Sequence, residues 1–445
     1  VTTPHKGAWF ALFVLFGINL MNFFDRQIVG ALAVPITEQF ALTDTQFGFI
    51  TTLFTLVYAV IGLPLGRFTD RWIRTRLIAI GVTVWSLFTA ASGIAWSHAT
   101  FIAARVGVGI GEASCAPASQ SLIGDLFPPH KRARAMAIFM LGLPFGLYGA
   151  YKLSGIIADE WGWRAAFFVA GVPGLLLAAL MLFVKEPRRG QSETRDAAHE
   201  TKGTAAYAAV LGITTLWWIV LSGLLFNFNS YAVNTFQTAF LQRFHEVGLR
   251  EATNISAISL GLTGAIGLLL GGWLGDRLHV KRANGRLMLA AITMLLAAPC
   301  VYFALQQPKG ATGMFTLLMG ASSAMTFVYY STVYSAIQDV VPARLRGTAV
   351  SVYFCAMYVL GASFGSTVMG GLSDYFANQA MLAAGANEMA PLFKSQGLHT
   401  AMYVIPALML LCAASLFGAG RTVAGDMRKL EERTIAAANM QPASA

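Results

Sequence analysis

Charge is the first thing this sequence has little of. Asp, Glu, Lys and Arg make up 12% of its 445 residues, against 56% hydrophobic. A soluble domain of that length needs a far more charged exterior, so the soluble class is excluded. Enzyme signatures are missing as well. There is no Walker loop, no H-E-x-x-H, no G-x-S-x-G and no phosphate-cradling glycine loop ahead of a helix. Neither an enzyme nor an ATP-driven pump is indicated. Cysteine is scarce: Cys115, Cys300, Cys355 and Cys412 all lie in apolar segments without metal spacing. They read as reduced core residues, and no metal or cofactor is expected. The first apolar run lacks a small-residue cleavage site and reads as an uncleaved span.

Long apolar runs are what the chain has in plenty. A spanning helix needs roughly 20 apolar residues. Twelve such segments can be laid out, at about 8–34, 46–66, 77–97, 99–126, 133–158 and 162–184, then 207–240, 254–275, 286–305, 311–339, 346–373 and 398–420. The polar stretch "KEPRRGQSETRDAAHETKG" divides them into sixes. The expected organisation is a bundle over 1–184, a cytoplasmic linker over 185–206 and a second bundle over 207–445 with a short cytoplasmic tail.

The net charge of +10 needs no nucleic acid to explain it. Twenty-three of the 31 Lys and Arg fall on one side of this layout, the side of both termini, the linker and the even-to-odd loops. The remaining eight are Arg26, Arg105, Lys152, Arg164, Arg243, Arg250, Lys309 and Lys394. The positive-inside rule then puts both termini in the cytoplasm. The halves also repeat. "GRFTDRWIRTR" aligns with "GWLGDRLHVKR", matching Gly66 to Gly272, Asp70 to Asp276 and Arg71 to Arg277. "DLFPPHKRARA" aligns with "DVVPARLRGTA", matching Asp125 to Asp339 and Arg132 to Arg346. Two parallel six-span halves are the build of major facilitator transporters. The predicted fold class is an all-α membrane protein with that fold.

The few charges inside spans are the candidate site, because each costs several kcal/mol at membrane depth unless paired or hydrated. In "LMNFFDRQIVG", Asp25 lies about nine residues from the outer end of the first span, roughly 13 Å deep. Arg105 in the fourth span reaches a similar depth. Glu112 is seven residues further on the same face. One reading is proton coupling by Asp25 and Glu112 with Arg105 holding or sensing the proton; the other is a static ion-pair network that fixes helix packing. Arg26 either lines a cavity or reaches outward by its long stem. Lys152 either snorkels toward Asp159 and Glu160 or meets an anionic headgroup. The second half offers amides and phenols instead, with Asn227, Tyr330 and Tyr334 as substrate contacts or, for the amides, as interhelical glue. At the basic ends, Gly66, Asp70, Arg71, Arg74, Arg76, Asp125, Arg132, Asp276 and Arg277 are the expected cytoplasmic gate.

Three stretches carry a family resemblance. "NFFDR" resembles the N-x-x-D-R signature of spinster-like transporters. "RVGVGIGEASCAPASQSLIGDLFPPHKRARAMAIF" resembles their fourth span, and "GWRAAFFVAGVPGLLLA" the start of their sixth. The anion:cation symporters share a similar first signature and fourth span. The spinster resemblance implies a carrier of lysolipids or sphingoid phosphates, proton-linked in some members, with roles for Asp25, Arg26, Arg105 and Glu112. Lys152 departs from the small residues usual there. The expected protein is therefore a proton-coupled, alternating-access carrier of a lysolipid-like amphiphile, monomeric, in a bacterial inner membrane. The alternative is a carrier of small organic anions or drugs on the same fold; a scramblase-like or sensing membrane protein without coupled transport is a third class.

Overall fold

The structure is a computed structural model that describes residues 7–69, 72–188, 204–342 and 345–439. The described residues are helical throughout, without strands. Ten helices are long and apolar enough to cross a membrane. Two more rods bring the number to twelve. One is the fourth span, His98–Glu112 continued by Cys115–Leu126; the other is the tenth, Thr312–Val340, diluted by Ser, Thr and Tyr. The first span is Ala8–Ala31, the second Asp44–Thr69, the third Arg74–Gly93, the fifth Pro129–Met140 with Gly142–Trp161, and the sixth Trp163–Met181. The seventh is Thr214–Phe244, the eighth runs from Leu249 to Lys281, the ninth is Gly285–Leu305 and the eleventh runs from Arg346 to Ala383. The twelfth runs from Pro391 through Val404–Asn439.

Local sequence explains several features. The fourth span starts at a reciprocal capping box between Ser97 and Thr100, which satisfies donors otherwise orphaned at a helix start. Its glycines are packing devices: a Cβ on Gly111 would stand 2.7 Å from Trp85 N and 2.8 Å from Gly81 O. Two π-helical segments, Ala257–Leu262 and Ala356–Ala362, interrupt the eighth and eleventh spans. Such bulges give no signal in hydropathy, and they often mark functional positions. A short helix, Thr204–Leu211, precedes the seventh span and lies where the seventh span was expected to begin.

The two sets of six spans touch along the side away from the termini, here the far side. Tyr151 Oη donates to the Asn234 carbonyl at 2.6 Å. Arg243 Nη1 donates to both Asp44 carboxylate oxygens, at 2.8 and 2.7 Å, and Ser373 Oγ donates to Asp44 Oδ2 at 2.7 Å. Asp374 accepts from the Thr45 backbone N–H at 2.8 Å and the Asp44 N–H at 3.1 Å, so it caps the second span from the eleventh. Backbone contact is closest at Gly48 against the Ser366 carbonyl and at Gly370 against the Asp44 carbonyl. No side chain fits between helices that close.

Candidate functional site

Three residues of "NFFDR" sit at i, i+3 and i+4, so one helix face carries Asn22, Asp25 and Arg26 toward the fourth span. Arg26 Nε donates to Glu112 Oε2 at 2.8 Å, with the two side chains 4% and 0% exposed. Asn22 lies beside the same carboxylate. The Arg26 guanidinium also lies 4.1 Å from the centroid of the Tyr58 ring, with Phe54 and Phe23 at 5.6 and 5.5 Å. It has not reached outward to an interface; it is 9% exposed and turned into the protein. Aromatic faces suit a desolvated guanidinium through the cation–π attraction.

Asp25 is different. It is 1% exposed, and neither carboxylate oxygen accepts a well-formed hydrogen bond. Trp85 Nε1 and Thr89 Oγ1, equally unpartnered, lie nearest it. The sequence reading aims Arg105 at this carboxylate. Instead, Arg105 Nη2 donates to the Asp25 backbone carbonyl at 2.6 Å, and Nη1 is unpartnered. Arg105 is still close enough to act on the Asp25 charge, as is Glu112. The chemistry is that of a carboxyl group held among charges but not locked to any of them. A buried carboxylate without donors is costly as an anion.

Arg26 also lines a cavity between the halves, with Gln27, Asn227, Asn229, Tyr231 and Tyr330 among its polar neighbours. Leu143, Leu147, Met294, Val301, Met319 and Met409 supply an apolar wall. Asn227 is tied back, donating to the Met357 carbonyl at 3.3 Å. Tyr334 is not in the lining; it stacks on Tyr330 at 6.1 Å with an interplanar angle of 9°. Arg105 and Glu112 also stand outside the lining, behind Arg26.

Lys152 requires a correction. Its expected partners, Asp159 and Glu160, are about two turns away, roughly 10 Å along the helix. Lys152 Nζ instead donates to Asn254 Oδ1 at 2.6 Å. The two acids face Arg250 at 3.8 Å. Gly155 against Thr253 and Gly261 against Tyr148 bring the fifth and eighth spans into contact, so the nearest polar partner is across the interface rather than along the helix.

On the termini side, Asp70 and Arg71 lie outside the described residues, and Gly66 is described only as helical backbone. Arg74 donates to Asp125 Oδ2 at 2.5 Å and to Glu186 Oε1 at 2.7 Å. Arg286 donates to Asp339 Oδ2 at 2.7 Å and to Asp276 Oδ1 at 2.8 Å. The two clusters are counterparts, each within its own set of six spans, and neither bridges the sets. Arg132 donates to the Gly124 carbonyl at 2.7 Å, Arg277 lies 3.8 Å from the Trp273 ring centroid, and Arg76 is exposed.

Sequence reasoning missed Tyr58, Tyr358 and the Asp44–Arg243 pair. The π-helical turn carries Tyr358 to within 5.6 Å of Tyr58. Phe54 and Tyr58 at i and i+4 were a usable signal for one aromatic face; nothing local signalled Tyr358. Arg243 was visible as one of the few basic residues off the termini side, but its partner is 199 positions away.

His245, just past the seventh span, is 3% exposed with both ring nitrogens unpartnered. Phe240, Phe244 and Phe315 surround it. Burial, then the neighbouring His399, hold its pKa below the ordinary 6.5. A depressed histidine binds fewer protons folded than unfolded, so stability rises with pH across that window. Thermal melts from pH 8 to 5.5 are expected to fall as the pH drops through about 6.5. The fall should be shallower in His245→Phe; an identical slope in both would contradict it.

Residues 15–366 match the family described as Major Facilitator Superfamily. The chain is 30% identical over 383 residues to an MFS-type efflux pump of Mycolicibacterium smegmatis, covering 83% of this chain and 85% of that one. It is 30% identical over 386 residues to protein spinster homolog 1 of Mus musculus, covering 81% of this chain and 72% of that one. A solved bacterial homolog of the human lysosomal transporter Spinster, in an inward-facing and unoccupied conformation, superposes with TM-score 0.84 at 27% identity, covering 95% and 99% of the two chains. The chain belongs to the Major Facilitator Superfamily: it is a multi-pass membrane transporter and not an enzyme. Within that superfamily it is spinster-like.

Proposed function

We propose that this protein is a proton-coupled carrier that moves a lysolipid-like amphiphile by alternating access, with Asp25 as the proton-carrying group. The observation that carries the reading is Asp25 itself, 1% exposed with both oxygens unpartnered, one residue from the Arg26 that lines the cavity. Intramembrane carboxylates of this kind serve proton relays. Protonation there changes the charge beside Arg105, Glu112 and Arg26, and so biases how the first and fourth spans pack. The cavity has a polar wall and an apolar wall, which suits a headgroup and a single chain.

In this reading, 1–184 and 207–445 move as two bundles about the 185–206 linker, as a monomer in a bacterial inner membrane with cytoplasmic termini. The positive-inside distribution supports that orientation. The far-side contacts and the similarity to an inward-facing relative support a resting state closed outside. Gly66, Asp70 and Arg71, with the Arg74 and Arg286 clusters, would form the cytoplasmic gate when the carrier reverses.

The test is lysophospholipid flux in proteoliposomes, with and without an imposed pH gradient, for wild type and Asp25→Asn. Gradient-driven flux should fall at least about tenfold in the variant, a loss equal to about 1.4 kcal/mol of coupling. Equal gradient response in both proteins would remove Asp25 from the mechanism. The rival is a carrier of small organic anions or drugs, favoured by the similarity to an efflux pump and by the cationic Arg26 in the cavity lining. Inhibition by small carboxylates, with no lysolipid flux, would select it.

A further inference from the structure

Most polar groups of the cavity wall already have protein partners. Arg26 is held by Glu112, Asn227 by the Met357 carbonyl, Ser323 by the Leu260 carbonyl and Thr326 by the Ser322 carbonyl. Asn229 is the exception. It lines the cavity, it is 7% exposed, and neither its Nδ2 donor nor its Oδ1 acceptor is engaged by any described residue. An unsatisfied buried amide costs about 1–3 kcal/mol. It is placed one helical step from Ser230, in a seventh span whose neighbouring amides do structural work.

We propose that Asn229 is a specificity residue that reads a hydroxyl group on the bound amphiphile. A carboxamide presents a donor and an acceptor in one plane. The group that answers both from a single atom is a hydroxyl, which donates one hydrogen and accepts another. An anionic oxygen would satisfy Nδ2 and leave Oδ1 facing negative charge. An ammonium group would do the reverse. The free hydroxyl next to the acyl-bearing carbon of a lysolipid glycerol has the required chemistry, and a second acyl chain would abolish it. Asn229 therefore separates one-chain from two-chain lipids by hydrogen bonding rather than by volume alone. This rests on the lysolipid reading above.

The experiment compares a 1-acyl lysophospholipid with its 2-deoxy analogue, in proteoliposome flux, for wild type and Asn229→Leu. Wild type should prefer the hydroxyl compound by about tenfold, one buried hydrogen-bonded group being worth that ratio. The variant should carry the two compounds alike, with the deoxy compound undiminished. Leucine is close in size and removes two unpartnered polar atoms, so its melting temperature should match or exceed that of wild type. A preference that survives in Asn229→Leu overturns the proposal. So does a variant that melts lower and loses both compounds equally, since that marks a structural amide. Absence of lysolipid flux in wild type would sink the substrate reading instead. In that case Asn229 is judged by the melting shift produced by a 1-O-alkylglycerol against the matching 2-deoxy ether, in both proteins. Equal shifts in wild type would overturn it.

Discussion

Arg26→Ala is expected to destabilise the protein by about 3–5 kcal/mol, the cost of leaving one partner of a buried pair unpaired. The partner is Glu112, 0% exposed, with its other oxygen already lacking a donor. Neutralising both ends should be far milder, because the desolvated charges disappear together. Arg26→Ala with Glu112→Gln is therefore expected to recover most of the lost stability. The measurement is a thermal melt of the wild type, both single variants and the double variant, taken as a double-mutant cycle. A double variant as unstable as the sum of the singles would mean that the 2.8 Å contact carries no coupling. Function should not return with stability. The double variant also strips the cavity of its cation and removes a charge from around Asp25, so flux should stay near background.

Arg243→Ala is expected to open the far side. Arg243 and Asp44 are 15% and 6% exposed, so their pairing is largely desolvated. Asp44 also receives Ser373, and Asp374 caps the same helix start. Truncating one partner of such a pair costs about 2–5 kcal/mol. The contact joins spans from both sets of six, so that cost falls on the far-side-closed state. A shift of 3 kcal/mol is on the order of a hundredfold change in population. Ser230 lines the cavity. In a background free of the four native cysteines, Ser230→Cys should resist an impermeant maleimide in whole cells. Adding Arg243→Ala should make it react. Resistance unchanged by Arg243→Ala would show that backbone packing at Gly48 and Gly370 holds the closure alone.

Much of the fold was legible because lipid leaves the chain few choices. Every backbone polar group must be satisfied within a span, so apolar length translates into helix number. The twelve spans, the duplicated Asp125 and Asp339 ends, and the shared face of Arg105 and Glu112 follow from counting and periodicity. Near-neighbour geometry on a helix is also local, which is why Asn22, Asp25 and Arg26 could be assigned to one patch. The pairing of that patch was not legible. Adjacent residues on a helix point about 100° apart, and which of two carboxylates meets which arginine depends on helix rotation and on the approach set by glycines such as Gly111.

The sequence by itself determined that this is a many-span membrane protein with an internal repeat, and which few side chains pay the cost of charge within the bilayer. Composition and period are properties of each segment, and the membrane makes them decisive. Only the tertiary structure decided that Arg26 belongs to Glu112, that Asp25 stands unpartnered, that Lys152 turns to Asn254, and that Asp44 and Arg243 close the far side. Those are contacts between spans, some nearly 200 positions apart. They depend on how helices rotate and approach one another, which no single segment encodes.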